Sequence, residues 1–302
     1  MKTIENPSIK LKFSLDRADY EDIVILRECC LEKENITLKL ELDYKLSKSL
    51  NESIGKDKIN EFMFYDGRKL IGYMGICQFG SETIEVNGMV HPEFREMGVF
   101  RRLFSLVKDE WNKRESQHML LLSDRKSTSG IEFIKSTGAH YENSEYEMFL
   151  IGEARGATAL KNLNLRKALN RDAKEIARQN AIYFQVNSSE EDLTLPEEES
   201  KHGMDTFLAE INQTIIGKVH MEVQNGVGGI YGLGVLPEYR GKGYGRDILM
   251  KAVEKLKEKQ VQQIMLQVAV KNSNALNLYQ SCGFKETSTM DYFKLTKNSF
   301  TY

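Results

Sequence analysis

The stretch V-L-P-E-Y-R-G-K-G-Y-G, from Val235 to Gly245, places three glycines between an apolar segment and an amphipathic one. Glycine permits positive φ angles and, because it lacks a Cβ, lets another molecule approach the main chain. Consecutive N–H groups in such a turn form an anion-binding concavity, and a following helix adds the partial positive charge of its N-terminus. The stretch therefore predicts a strand, a phosphate-binding loop and a helix, although a tight turn that binds nothing has the same pattern.

The segments around this loop predict alternating strands and helices. Residues 207–224 form two strands around a turn at Asn212 and Gln213, and the continuously apolar residues 264–270 form a buried strand. Ser273 is the predicted N-cap of a short helix that ends before Gly283. The helix after the loop carries one apolar stripe: Tyr244, Ile248, Leu249, Ala252, Val253 and Leu256. The fold class is therefore α/β with a mixed sheet.

A second, degenerate copy of the same pattern lies 145 residues earlier. P-E-F-R-E-M-G-V-F begins at Pro92, and P-E-Y-R-G-K-G-Y-G begins at Pro237. An ungapped alignment of residues 62–150 with 207–295 contains 15 identities in 89 positions, concentrated at Gly, Pro, Arg and strand residues. A period of this length indicates a tandem domain duplication. We predict one domain at 1–152, a linker at 153–162 and a second domain at 163–302.

Two segments of the second copy resemble the GNAT N-acetyltransferase superfamily. Arg240, Gly243 and Gly245 satisfy its acetyl-CoA signature [RQ]-x-x-G-x-[GA]. The segment N-S-N-A-L-N-L-Y-Q-S-C-G-F, residues 272–284, is similar to the family's N-x-x-A-x-x-L-Y-x-x-x-G-F. The resemblance implies a tandem GNAT fold, in which each copy is a splayed mixed β-sheet flanked by helices, as in two-domain enzymes of this family.

The resemblance also implies a co-substrate and site residues. Acetyl-CoA would lie in the splay of the sheet, its pyrophosphate on the loop amides, and a primary amine would attack the acetyl carbonyl directly. Tyr279 would be the general acid that protonates the departing thiolate. The implied cofactor-binding residues are Leu233, Gly234, Val235, Arg240, Gly241, Lys242, Gly243, Tyr244, Gly245 and Asn272.

The general base is left open by the sequence. Many relatives place a carboxylate on the strand before the glycine loop, but residues 228–236 contain none. His220 and Glu222 lie two apart on the preceding strand and share a face, so both are candidate catalytic residues. A solvated strand face has the same pattern, and a water chain is a further alternative.

The first copy has lost the residues that carry chemistry. At the 145-residue offset, Gly241 becomes Glu96, Gly245 becomes Phe100 and Tyr279 becomes Ile134. A ring and a carboxylate would stand where the backbone must approach pyrophosphate, and isoleucine donates no proton. We therefore predict that the first domain binds no acetyl-CoA, with weak binding through a rearranged loop as the alternative.

The acceptor is predicted only as a small-molecule or peptide amine. An acidic stretch from Ser188 to Ser200 would attract a cationic amine at the lip of the site, or would serve as a solvated helix start. Its carboxylates are Glu190, Glu191, Asp192, Glu197, Glu198 and Glu199. A non-catalytic acetyl-CoA sensor or interaction scaffold is the alternative function.

The composition of the chain limits the remaining classes of function and location. A net charge of -2 gives no reason to expect nucleic-acid binding. The absence of a long apolar run and of a signal-peptide pattern predicts a cytoplasmic protein without a membrane segment. The four cysteines form no disulfide or CxxC spacing, Cys282 is interpreted as a packed thiol, and the histidines show no metal-ligand spacing, so no metal is expected. The sequence is compatible with a monomer or a homodimer.

Overall fold

A computed structural model describes residues 3–51, 57–78, 82–155, 162–184 and 193–297 of the chain. The chain divides into two compact units, one formed by Met1–Ser144 with Ser288–Tyr302 and the other by Glu145–Thr287. The domain limits taken from the repeat, 1–152 and 163–302, stay a prediction, and the linker predicted at 153–162 lies partly outside the described residues.

The described residues form twelve strands and eight α-helices. In chain order they are β1 (Pro7–Lys12), α1 (Arg17–Leu31), α2 (Leu42–Asn51), β2 (Glu61–Asp66), β3 (Lys69–Cys77), β4 (Thr83–Val90), α3 (Val99–Lys113), β5 (His118–Asp124), α4 (Thr128–Ser136), β6 (His140–Leu150), β7 (Leu163–Lys167), α5 (Ala173–Phe184), α6 (Pro196–Lys201), β8 (Met204–Ile211), β9 (Thr214–Gln224), β10 (Val227–Val235), α7 (Tyr244–Glu258), β11 (Gln263–Ala269), α8 (Ser273–Ser281) and β12 (Phe284–Thr296). The order confirms the predicted mixed α/β class. None of the helices in the described ranges combines the length and apolar composition needed to span a bilayer.

The first unit contains a mixed sheet in the order β1-β2-β3-β4-β5, completed by the end of β12. β4 and β5 run parallel, and β12 pairs antiparallel with β5 from Met290 to Thr296. The apolar face of α3, including Leu103, Val107 and Trp111, packs on this sheet and is fully buried. This amphipathic helix therefore covers one face of the core, as its period predicts.

The second unit repeats this arrangement in the order β7-β8-β9-β10-β11, completed by residues 145–149 of β6. Asn212 and Gln213 adopt positive φ angles of 49° and 66° in the predicted turn between β8 and β9. Ile248, Leu249 and Val253 on α7 are buried against the sheet. The strand and helix predictions for this copy are thus met, with β12 longer than the predicted residues 292–295.

Each sheet opens between its two parallel strands. β10 pairs with β11 only from Val227 to Ile230, although β10 continues to Val235. The register of β10 against β9 also shifts between Tyr231 and Gly234, which marks a bulge. β4 and β5 separate in the same way after Val86. The fold therefore creates a cleft beside the carboxyl end of β10, at the start of the glycine loop.

Candidate active site

The glycine loop has the backbone conformation that its sequence requires. Gly241 and Gly243 have φ angles of 75° and 87°, and a Cβ built on either would meet nothing within 4 Å. Gly243 is the N-cap of α7, so the first N–H groups of a 15-residue helix lie beside the cleft. The loop is an open backbone cradle at a helix N-terminus, which fits a phosphate or pyrophosphate group.

Arg240 and Lys242 are tied to the backbone of the loop rather than extended from it. The Arg240 Nε donates to the carbonyl of Val235 over 2.9 Å, and the Lys242 Nζ donates to the carbonyl of Glu238 over 3.1 Å. In the first unit, Arg95 Nε donates to the carbonyl of Val90 over 3.3 Å, at the matching positions. The arginine shared by both copies therefore holds the loop against the end of its strand.

The second motif segment, residues 272–284, contains α8. Asn272, not Ser273, is the N-cap, and its Oδ1 accepts from the N–H of Ala275 over 3.1 Å. The predicted cap was thus one residue too late, because both side chains can accept at a helix start. The role of Asn272 in binding acetyl-CoA stays a prediction.

Tyr279 lies on the buried face of α8. It is 7% exposed, and its ring lies 6.3 Å from that of Phe284. Burial raises the pKa of its hydroxyl to about 12. Within the part of the chain that the structure describes, the hydroxyl has no protein hydrogen-bond partner. Tyr279 therefore keeps its proton at neutral pH and has it available for a ligand.

Two glycines let side chains pack directly on the bulge of β10. A Cβ on Gly234 would lie 2.2 Å from the ring of Tyr183, and one on Gly232, whose φ is 53°, would lie 2.5 Å from the ring of His220. The stretch Y-G-L-G-V thus lacks side chains at the two positions where residues of α5 and β9 pack on the strand. Leu233 and Val235 alternate with these glycines and pack partly buried against the core.

His220, one of the two base candidates, is engaged at both ring nitrogens. Its Nδ1 lies 2.7 Å from the Thr206 hydroxyl and its Nε2 lies 2.6 Å from the Nζ of Lys218. Burial, and secondarily the charge of Lys218, lower the pKa of His220 to about 3. The imidazole is therefore neutral at physiological pH and is bonded within the protein.

Lys218 was missed by the sequence reasoning, although it shares a strand face with His220. Its side chain is 0% exposed, and its Nζ also donates to the carbonyl of Gly232 over 3.3 Å. The rings of Tyr183 and Phe184 lie 5.9 Å and 5.7 Å from the Nζ. Burial lowers the pKa of Lys218 to about 8, opposed by the charge of Glu199.

Glu222, the other base candidate, and two of the described carboxylates of the acidic stretch are engaged with other parts of the second unit. Glu222 is paired across the sheet with Gly229 and Met204. In the described half of the acidic stretch, Glu197 exchanges hydrogen bonds with Asn170, and Glu198 forms an ion pair with Lys201. Glu199 alone is partly buried, and burial raises its pKa. Residues 188–192 lie outside the described residues.

The first unit has a cleft at the matching place but a different phosphate loop. A cavity of about 850 Å³ opens between the ends of β4 and β5. Glu96 adopts φ 62° and Gly98 φ 82°, so the loop keeps the backbone shape of its counterpart. However, the ring of Phe100 packs edge-on against Phe133 at 4.6 Å, where the second unit has a glycine. Arg95 is also held in an ion pair by Glu34.

Cys282 is buried and its thiol lies 3.6 Å from the guanidinium of Arg246. Burial raises the pKa of this thiol, which disfavours the thiolate that covalent catalysis needs. Among the residues that the structure describes, no three His, Cys, Asp or Glu side chains cluster in a way that could hold a metal ion.

Known proteins with similar sequences include acetyltransferases. Residues 169–284 match the model of the acetyltransferase (GNAT) family. A mycothiol acetyltransferase from Paenarthrobacter aurescens is 24% identical over 250 residues, covering 76% of each chain. One from Thermobispora bispora is 38% identical over 85 residues, which cover 26% of this chain and 29% of the relative.

Solved structures share the fold over nearly the full chain. A GCN5-related N-acetyltransferase from Sphaerobacter thermophilus superposes with a TM-score of 0.74 at 16% identity, covering 95% of both chains. A tandem GNAT protein from the clavulanic acid biosynthesis pathway gives 0.72 at 13% identity, covering 96% of this chain and 98% of that one. The glycine loop lies within the segment that matches the acetyltransferase family. The fold over nearly the full chain is that of a tandem GNAT protein, and the match to the acetyltransferase (GNAT) family covers residues 169–284 of the second unit.

Proposed function

We propose that the second unit transfers an acetyl group from acetyl-CoA to the primary amine of a small molecule or peptide. The single observation that carries this proposal is the open glycine cradle at the N-terminus of α7, beside the splay of β10 and β11. The amides of the loop and of the first turn of α7 bind the pyrophosphate. The unpaired edge of β10 from Leu233 to Val235 receives the pantetheine arm.

In this mechanism the acceptor nitrogen attacks the acetyl carbonyl, and the bond between carbon and sulfur then breaks. Binding both reactants in one cleft makes the step effectively unimolecular. A backbone N–H at the end of β10 stabilises the developing oxyanion. Tyr279, whose hydroxyl is protonated at neutral pH, donates its proton to the departing thiolate.

The mycothiol acetyltransferases that resemble this chain suggest a small-molecule acceptor. The carboxylate of the acidic stretch that supports a cationic amine is Glu199, because Glu197 and Glu198 have local partners. Its partly buried position would place one negative charge near the acceptor nitrogen. A small, cationic primary amine is therefore the proposed acceptor class, and a cytoplasmic location follows from the use of acetyl-CoA.

We further propose that one acetyl-CoA binds per chain. The first unit has an open cleft, but Phe100 and its contact with Phe133 occupy the position where Gly245 leaves space beside Leu278. Glu34 neutralises Arg95, and Glu96 is exposed on the loop. The first unit would then contribute structure rather than a second catalytic centre.

The experiment is a thiol-release assay with acetyl-CoA and a panel of primary amines that includes polyamines, amino acids and amino sugars. Acetylated product is identified by mass spectrometry. Amine-dependent thiol release is expected, fastest with cationic amines. If acetyl-CoA binds but no amine in the panel accelerates thiol release, the chain is a sensor rather than a transferase. Equal rates for cationic and neutral amines would remove the role of Glu199.

A further inference from the structure

Lys218 is a buried amine that has no carboxylate partner among the described residues. Its side chain is 0% exposed, yet no Asp or Glu of the described chain lies within ion-pair distance of its Nζ. Buried charged groups are normally paired, because an unpaired ammonium loses its hydration without compensation. A lysine amine that is buried without a neutralising carboxylate is a candidate for chemistry that needs the neutral amine.

The first unit provides an internal comparison at the matching positions. Subtracting 145 turns Lys218 into Tyr73 and Thr206 into Glu61. There, the amine of Lys45 reaches in from α2 and lies 2.9 Å and 3.0 Å from the two carboxylate oxygens of Glu61. Tyr73 donates to the same carboxylate over 2.6 Å. In the first unit, which lacks the open glycine cradle, the buried lysine is thus neutralised by a carboxylate. In the second unit, which has the cradle, the described residues provide no carboxylate to neutralise Lys218.

The neighbours of Lys218 fix the direction of its lone pair. A neutral amine has two N–H bonds, and the structure offers two acceptors: the Nε2 of His220 at 2.6 Å and the carbonyl of Gly232 at 3.3 Å. When His220 is protonated at Nδ1, it donates to Thr206 and leaves Nε2 as an acceptor. The lone pair then points along the remaining direction, beside the bulge of β10.

We propose that Lys218 is the general base of the transfer, with His220 and Thr206 as the residues that position it. This inference rests on the proposed acetyltransfer in the second unit. Gly232, whose carbonyl binds the amine, precedes the Leu233–Val235 edge where the acetyl group would lie, and its missing side chain lets His220 and the Lys218 amine pack directly against the backbone there. The titratable groups that face Nζ in the described structure are His220, Tyr183 and Glu199.

The step is balanced within the protein and its substrates. The acceptor nitrogen attacks in its neutral form, having lost one proton to solvent; it forms a bond to the acetyl carbon and gives a second proton to the lone pair of Lys218. The carbon–sulfur bond breaks, and the thiolate takes the proton of Tyr279. The ammonium formed on Lys218 is stabilised by the rings of Tyr183 and Phe184 and by the charge of Glu199. After product release, Lys218 returns its proton to solvent and the Tyr279 phenolate takes one proton from solvent.

The test compares Lys218→Met and Lys218→Arg in the full chain with the unchanged protein. Methionine removes the amine, while arginine keeps a positive charge but cannot lose its proton. Lys259→Met, at an exposed lysine that pairs with Asp205, is the matched control. Acetyl-CoA affinity by calorimetry reports whether each variant folds. The rate is measured as kcat/KM against pH, with two amines of different basicity.

We expect both Lys218 variants to bind acetyl-CoA normally and to lose activity by about 10²–10⁴-fold, the usual contribution of a general base. In the unchanged protein, kcat/KM should rise with pH through the same midpoint near 8 for both amines, and this limb should be absent in Lys218→Met. Rescue by arginine, or a Lys218→Met variant within threefold of full activity, would overturn the proposal. Failure of the unchanged protein to turn over any amine would instead refute the proposed transferase function, and with it the step assigned to Lys218.

Discussion

The buried amine of Lys218 predicts a specific dependence of stability on pH. Its pKa is lowered from 10.5 to about 8 by burial, so between these two pH values the unfolded chain binds more protons at this group than the folded chain does. The contribution of Lys218 to the free energy of unfolding therefore rises with pH, by about 1.4 kcal/mol per pH unit inside this window. From pH 7 to pH 9.5 the gain integrates to about 2 kcal/mol.

The assay is urea unfolding of the unchanged protein and of Lys218→Met at pH 7, 8, 9 and 9.5, followed by circular dichroism. Other groups titrate equally in the unchanged protein and in the variant. For the unfolding transition that the substitution shifts, the difference in free energy of unfolding between the two proteins therefore reports on Lys218 alone. We expect the unchanged protein to gain about 2 kcal/mol relative to the variant across this range. The exposed control Lys259→Met should show a change of less than about 0.5 kcal/mol. A constant difference for Lys218→Met would show that this amine titrates like a solvated one, which would refute the reasoning.

Three further outcomes follow from the site. Tyr279→Phe should keep its affinity for acetyl-CoA and lose about 10²–10⁴-fold in kcat, because the ring stays and the proton is removed; undiminished turnover would exclude the general-acid role. Gly245→Phe should lose calorimetric binding of acetyl-CoA by at least about tenfold, since even a Cβ there lies 3.4 Å from Leu278 and a ring must enter the cleft, whereas Gly245→Ala should bind normally. Cys282→Ala should retain kcat within about threefold, because burial disfavours its thiolate; loss of turnover with an intact fold would point to an acyl-enzyme.

The local patterns of the sequence were sufficient for the loop and its helix. These patterns are glycines at positive φ, a proline before them and an apolar stripe after them, and each depends only on residues nearby in the sequence. The structure of Gly241, Gly243 and α7 agrees with them. The splay between β10 and β11 followed from the family resemblance rather than from these patterns. The N-cap was misplaced by one residue because Asn272 and Ser273 are both good caps.

The Lys218 group could not be predicted because it depends on strand register. A lysine two residues before a histidine is typical of a solvated strand face, and only the pairing of β9 with β8 and β10 brings Thr206 and Gly232 to it. A signal was present in Y-G-L-G-V, since two glycines on one face of a strand leave room for side chains of its neighbours.

The sequence also did not predict which strand completes each sheet. Residues 145–149 of β6 and the end of β12 occupy equivalent positions in the two copies, 145 residues apart. β6 pairs with β11, and β12 pairs with β5. Because duplicated strands have similar shape and pattern, the sequence alone does not distinguish which sheet each completes.

The central claim is that a single acetyl-CoA binds, at the glycine cradle of the second unit. Isothermal titration of the full chain with acetyl-CoA tests it most directly, with Gly243→Glu as the variant, because its φ of 87° and its place at the start of α7 make a carboxylate there incompatible with a bound phosphate. We predict a stoichiometry near one for the unchanged chain and no measurable binding for the variant. A stoichiometry near two, or one equivalent still bound by Gly243→Glu, would contradict the account.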